Sequence, residues 1–371
     1  MRALILSCNT GGGHNAAGRA MAECFIRHGD EALFPDFLGL KNETVSRVVG
    51  DAYIDMARRT PRLFGGAYRL GMAVSRHFSR SPVYQANHYM AKYLAEYLRE
   101  NPVDVIVMPH LYPAETVTYM KRRGEALPPT YAVATDYTCV PFWEETDCDY
   151  YVIPHAELAG EFIDRGVPPE KLLPYGIPTS DAYRQGQTRD AARAALGLPA
   201  EGDCLLVMGG SMGAGSLLQL TKCLLADAPG AHIVVIAGSN RKTAERLQAL
   251  AGQDARLTVL PFTKRVPLYF RACDALFTKP GGLTSTEAAV SGIPIIHTAP
   301  IPGCETQNRA FFTKHGLSVS ASTVQGQAAA GLALLALPDA RAEMAKKQRE
   351  YIHADAAERI YQHIRARVEG R

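Results

Sequence analysis

Cys204-Leu205-Leu206-Val207-Met208-Gly209-Gly210-Ser211-Met212-Gly213-Ala214-Gly215-Ser216 reads as an apolar run, a glycine-rich turn and the start of a helix. An unbroken apolar run of this length predicts a strand buried on both faces, the environment of a parallel sheet. The same order of events opens the chain. Arg2–Ser7 predicts a strand, Thr10–Gly13 a turn, and Asn15 to about His28 a helix with Ala16, Ala17, Ala20, Met21 and Cys24 on one face.

Working outward from Cys204, a short Ala-rich helix runs through Leu196. Beyond the turn, strands are predicted at His232–Ala237, Arg256–Leu260, Ala275–Thr278 and Ile293–Thr298. They alternate with helices at Lys242–Ala251, Arg265–Ala272 and Ser285–Ser291, the pattern of a doubly wound sheet. The first half adds strands at Val103–Met108, Thr130–Thr135 and Tyr150–Ile153, with an insertion of short helices over about 40–100. The fold class is therefore α/β, two Rossmann-like domains with mostly parallel sheets facing across a cleft. Residues 1–182 form the first domain and 183–350 the second, and 351–371 form a C-terminal helix expected to pack back on the first.

Composition agrees and excludes several classes. At 371 residues the chain exceeds one typical core of about 100–200 residues. Forty Lys and Arg against 37 Asp and Glu leave a formal charge of +3, which argues against a dedicated nucleic-acid binder. The eight cysteines include no C-x-x-C pair, so neither a zinc site nor a disulfide framework is expected, and a reducing cytoplasm fits. The opening apolar stretch Ala3–Leu6 is too short for a secretory signal. The longest apolar run, Ala328–Pro338, has 11 residues, whereas a spanning helix takes about 20.

Three glycine-rich loops follow strands: Thr10–Asn15, Gly209–Gly213 and Lys279–Ser285. Such loops let backbone N–H groups and a helix N-terminus approach a phosphate, and equally mark plain tight packing. The first is neither G-x-G-x-x-G nor a P-loop, which weakens dinucleotide and ATP readings. Glu287, read as two residues into its helix, is placed to take hydrogen bonds from ribose hydroxyls or to favour the helix dipole. Pro302–Asn308 concentrates polar groups suited to sugar hydroxyls or to ordinary capping.

These stretches together resemble the monogalactosyldiacylglycerol synthase and processive diacylglycerol glucosyltransferase family, a glycosyltransferase family 28-like group, over essentially the whole chain. The resemblance rests on Thr10–Asn15 (TGGGHN), Val133–Tyr137 (VATDY) with Trp143 downstream, Tyr175–Pro178 (YGIP), Thr278–Ala288 (TKPGGLTSTEA) and Ile301–Asn308 (IPGCETQN). It implies the GT-B fold, a UDP-sugar donor with no metal in the donor site, and transfer with inversion to a lipid hydroxyl, diacylglycerol above all. It implies donor-binding roles for Gly210, Ser211, Phe262, Lys279, Gly281, Gly282, Leu283, Thr284, Glu287, Glu305, Gln307 and Asn308. Cys304 stands where the family often has Gln, which leaves glucose and galactose both open.

Inversion needs a base on one face of the sugar and charge stabilisation of the leaving diphosphate on the other. Asp136, at the end of a predicted buried strand, matches the family's proposed base, and His14 is placed to assist or simply to pack. Amides of Gly210, Ser211, Gly282 and Leu283 are expected to cradle the diphosphate, with Lys279 placed either to assist or simply to be solvated.

The acceptor side is read from Gly12, Gly13, Trp143 and a basic insertion. Between Met56 and Arg80 stand Arg58, Arg59, Arg62, Arg69, Arg76 and Arg80 without an acidic residue, interleaved with apolar groups including Phe64. This suits an anionic membrane surface, at about 1 kcal/mol per basic residue, or a solvated face. The expected location is the cytoplasm, peripherally on the inner face of the cell membrane. Competing functions are a UDP-sugar 2-epimerase-like enzyme and a non-catalytic UDP-sugar sensor on the same scaffold.

Overall fold

The structure is a computed structural model that describes residues 1–9, 12–42, 44, 46–48, 50, 66, 81–210, 213 and 215–370. The chain divides into two compact units, Met1–Ser180 with Pro302–Cys304 and His353–Arg371, and Asp181–Ile301 with Glu305–Ile352.

The first unit holds β1 (Arg2–Ile5), β2 (Glu31–Leu33), β3 (Val105–Met108), β4 (Thr130–Val133), β5 (Tyr150–Val152) and β6 (Leu172–Leu173). They form one parallel sheet in the order β2-β1-β3-β4-β5-β6. Every residue of β3 and β4 is buried, as helices on both faces require. Phe25 of the helix Gly12–Arg27 meets Tyr361 of the helix Ala356–Glu369 edge-on at 5.2 Å, and the Tyr361 hydroxyl donates to Asp30 at 2.8 Å.

The second unit repeats the plan with β7 (Cys204–Met208), β8 (His232–Ile236), β9 (Leu257–Leu260), β10 (Ala275–Thr278), β11 (Ile295–His297) and β12 (Val319–Ser320). All pair in parallel in the order β12-β11-β10-β7-β8-β9. Arg193, 1% exposed, fixes the helix Arg189–Leu196 to the start of β10 through Asp274 at 2.8 Å and through the carbonyls of Pro199, Ala200, Gly202 and Ala272.

In both sheets the chain leaves its first strand to one side and later returns on the other. The strand order reverses between β1 and β3, and between β7 and β10. Beyond the carboxyl ends of such strands, diverging loops leave a crevice where open α/β sheets bind ligands.

Two helix boundaries differ from the sequence reading. The first helix starts at Gly12, so Gly12, Gly13 and His14 form its first turn and do not lie in a loop before it. The helix expected from Ser285 starts at Gly282, because Gly281 adopts extended φ/ψ and its carbonyl already accepts from Ser285 N at 3.0 Å. Glu287 is then the sixth helical residue, past the turn in which the helix dipole acts.

Candidate functional site

In the second unit the loops after β7 and β10 meet. Gly210 has φ +67°, and a Cβ built there would lie 2.8 Å from Lys279 Cε. Gly213 has φ +61°, and a Cβ there would sit 2.0 Å from the Ala237 carbonyl oxygen, so only glycine fits. Asn240 secures this loop, donating from Nδ2 to Gly213 O at 3.1 Å while its Oδ1 caps the helix Arg241–Ala251 through Thr243 N.

Lys279 and Pro280 lead into the helix Gly282–Ser291, which has no side-chain N-cap. The N–H groups of Gly282, Leu283 and Thr284 precede the first intrahelical bond, and with the positive end of the helix dipole they make a place for an anion. Lys279 Nζ lies 3.6 Å from the position of a Gly281 Cβ, which brings the ammonium beside that helix start. It is held there by an ion pair with Glu305, whose other oxygen accepts from Ile301 N at 2.8 Å. Asn308, fully buried, donates from Nδ2 to Pro280 O at 3.0 Å. Both Glu305 oxygens and the Asn308 amide thus serve the shape of the cradle, a role the sequence reading had not given them.

Under the same helix, His297 is fully buried between Ser285 Oγ and Ser318 Oγ, each at 3.0 Å. Burial, helped by the Arg309 charge, lowers its pKa to about 3, so the ring is neutral. Glu287 is buried on this helix, while Phe262 and Gln307 are exposed. Ser211 lies outside the described residues.

The first unit gathers a second group of polar side chains at its own reversal point. His14, in the helix that follows β1, donates from Nδ1 to Pro109 O at 2.9 Å, just past β3, and lies 3.0 Å from Thr135 Oγ1, just past β4. A carbonyl can only accept, so Nδ1 carries the proton and Nε2 keeps its lone pair. Burial lowers the His14 pKa, and the Asp136 carboxylate partly offsets that. The ring stands edge-on to His110 at 4.6 Å. His110 caps the helix Leu111–Arg122 by accepting from Tyr112 N at 3.2 Å, and burial keeps it neutral. His110 and His297 were missed by sequence reasoning. The available signal was a histidine directly after, or ending, an apolar strand run.

Trp143, expected to face an acceptor or membrane, is 4% exposed and packs edge-on against Tyr151 at 6.4 Å. Its indole is part of the core. Thr10, Gly11, Arg58, Arg59, Arg62, Phe64, Arg69 and Arg76 lie outside the described residues, and the basic insertion with them. Among the described residues no helix is long and apolar enough to cross a membrane.

Each unit is a parallel, doubly wound sheet with polar groups gathered at its strand reversal, the Rossmann-like plan of nucleotide-binding domains. The family described as monogalactosyldiacylglycerol (MGDG) synthase matches residues 14–179, and that described as glycosyl transferases group 1 matches 213–351. A processive diacylglycerol beta-glucosyltransferase of Bacillus subtilis is 26% identical, over 98% of this chain and 94% of its own length. Acinetobacter baumannii MurG superposes with a TM-score of 0.61 at 16% identity, covering 98% and 99% of the two chains. Anabaena HepE, solved with UDP and glucose, gives 0.58 at 12%, covering 99% and 100%. The fold is GT-B, with the monogalactosyldiacylglycerol synthase match in the first unit and the glycosyl transferases group 1 match in the second.

Proposed function

We propose that this enzyme moves a hexose from a UDP-sugar to a lipid hydroxyl, diacylglycerol being the acceptor, with inversion and without a metal in the donor site. The observation that carries the reading is the Lys279 ammonium beside Gly210, Gly281 and the uncapped helix start at Gly282. A fixed cation and the helix-start amides, which make no intrahelical bond, can neutralise a departing diphosphate, which is the task a metal performs in other transferases. The MGDG synthase match and the names of the diacylglycerol glucosyltransferase relatives support the acceptor. Those names specify a β product, and from an α-linked nucleotide sugar a β product requires inversion.

In the reaction the acceptor oxygen bonds the anomeric carbon, the bond from that carbon to the diphosphate breaks, and UDP leaves with the electron pair. Asp136 takes the acceptor proton. His14, its tautomer set by Pro109, shares that proton through Nε2, and the influence of Asp136 on its charge supports pairing the two. Glu287 binds the ribose hydroxyls, and the exposed Phe262 ring offers a face to the uracil. Gln307, Gly12 and Gly13 complete the donor and acceptor contacts. The arginines of the basic insertion hold the enzyme on anionic lipid at the cytoplasmic face of the membrane.

The test is mass spectrometry of lipids after incubation with diacylglycerol vesicles and UDP-glucose or UDP-galactose. A diacylglycerol species heavier by a hexose supports the proposal. Consumption of donor with release of free sugar alone, as an epimerase-like enzyme would give, refutes it.

A further inference from the structure

At the far end of the helix Gly12–Arg27 from His14, three side chains converge outside the site just described. Cys24 Sγ, His28 Nε2 and a Glu358 carboxylate oxygen all lie within 4.8 Å of one another. Cys24 and His28 are four residues apart, still in helical register because His28 N bonds the Cys24 carbonyl, so both point from one face. Glu358 enters from the helix Ala356–Glu369. Its Oε2 is 2.9 Å from His28 Nε2 and 3.7 Å from Cys24 Sγ. The His28 ring is fixed by stacking on Tyr361, with centroids 4.0 Å apart and planes 8° from parallel.

The geometry points to a three-ligand site for a borderline transition-metal cation, Zn²⁺ by preference, with water in the fourth position. Zinc bonds of about 2.3 Å to sulfur and about 2.0 Å to nitrogen and oxygen, at tetrahedral angles, separate S from O by about 3.5 Å and N from O by about 3.3 Å. The observed S–O and N–O spacings lie within a few tenths of an ångström of these, and Cys24 Sγ lies within 4.8 Å of His28 Nε2. Thiolate, imidazole and carboxylate together suit zinc better than magnesium or calcium.

The counter-charge now in place is Arg27, whose Nη2 lies 3.3 Å from Cys24 Sγ and 3.1 Å from Glu358 Oε2. That side chain is 42% exposed and can turn into solvent. A bound cation takes over its neutralising role, so metal and guanidinium compete. Loading the site ties the C-terminal helix to the helix that carries His14. A screen for C-x-x-C pairs overlooks it because the third ligand is 330 residues further along the chain from His28.

The test is titration of the full-length reduced protein with Zn²⁺ against a chromophoric chelator, with Co²⁺ as the spectroscopic substitute. Expected are one equivalent bound, a thiolate-to-cobalt charge-transfer band, and a rise in the unfolding temperature. His28→Gln and Glu358→Gln, both at positions open to solvent, weaken binding at least about 100-fold, whereas Arg27→Gln tightens it about tenfold or more. Absence of stoichiometric binding in the parent protein overturns the proposal, as does binding unaltered by His28→Gln and Glu358→Gln. The readout is metal binding and is independent of transferase activity.

Discussion

Glu115→Gln should stabilise the first unit, and by an amount that grows with pH. Glu115 is fully buried on the helix Leu111–Arg122; its Oε2 accepts from Asn87 Nδ2, and its Oε1 has no hydrogen-bond partner among the described residues. Burial, reinforced by Glu145 and Glu144 against the Asn87 bond, raises its pKa from 4.5 to about 8. Between those values the folded state holds a proton that the unfolded chain has released, so stability falls as pH rises through the window. At about 1.4 kcal/mol per pH unit the cost is under about 1 kcal/mol at pH 5 and about 3 kcal/mol at pH 7. A glutamine keeps the acceptor for Asn87 and never ionises, so it removes this cost. In a unit of this size the gain at pH 7 corresponds to about 5–10 °C in the unfolding midpoint. The assay is unfolding at pH 5, 7 and 8, followed by fluorescence of Trp143, the only tryptophan, buried beside Glu144 in the same unit. A gain of equal size at all three values, or no gain at pH 7, refutes the reasoning.

His14→Gln should lower kcat about 10²–10⁴-fold and leave UDP affinity unchanged, and Asp136→Asn should do the same; stopped transfer with matched UDP calorimetry distinguishes this from loss of binding. Because burial lowers the His14 pKa, the acid limb of the kcat profile should fall below pH 6.5, and a limb above that value would count against a neutral His14. Gly213→Ala places a Cβ against the Ala237 carbonyl at positive φ, so UDP affinity should drop while Asp136-side features persist; unchanged affinity would remove this loop from the donor site. His297 refuses a proton that the unfolded chain accepts below pH 6.5, so stability should fall with decreasing pH toward about 3 by about 1.4 kcal/mol per unit. His297→Gln should flatten that limb, and an equal slope in the variant would contradict the assignment.

The buried strands were legible because parallel strands covered on both faces must be apolar runs, as in Cys204–Met208 and Ala275–Thr278. The edge strands Glu31–Leu33, Leu172–Leu173 and Val319–Ser320 were not, since two or three residues carry no period. The glycine loops were legible as loops, but the helix starts at Gly12 and Gly282 were read too late, because glycine reads as turn and here occupies a cap or first turn. Lys279 and Glu305 were both named from sequence as donor contacts, but their ion pair was not legible, because it joins residues 26 apart between a loop and the start of the helix Cys304–Lys314. The proton on His14 Nδ1 depends on a carbonyl 95 residues away and has no local signature. Trp143 was misplaced because an aromatic after a motif says nothing about which way the chain turns it.

A crystal grown with UDP offers the most direct measurement. Diphosphate oxygens within hydrogen-bonding distance of the Gly282 and Leu283 amides and of Lys279 Nζ, with the ribose on Glu287, are the predicted result. UDP bound elsewhere in the chain, or a metal ion bridging the diphosphate in place of Lys279, would contradict it.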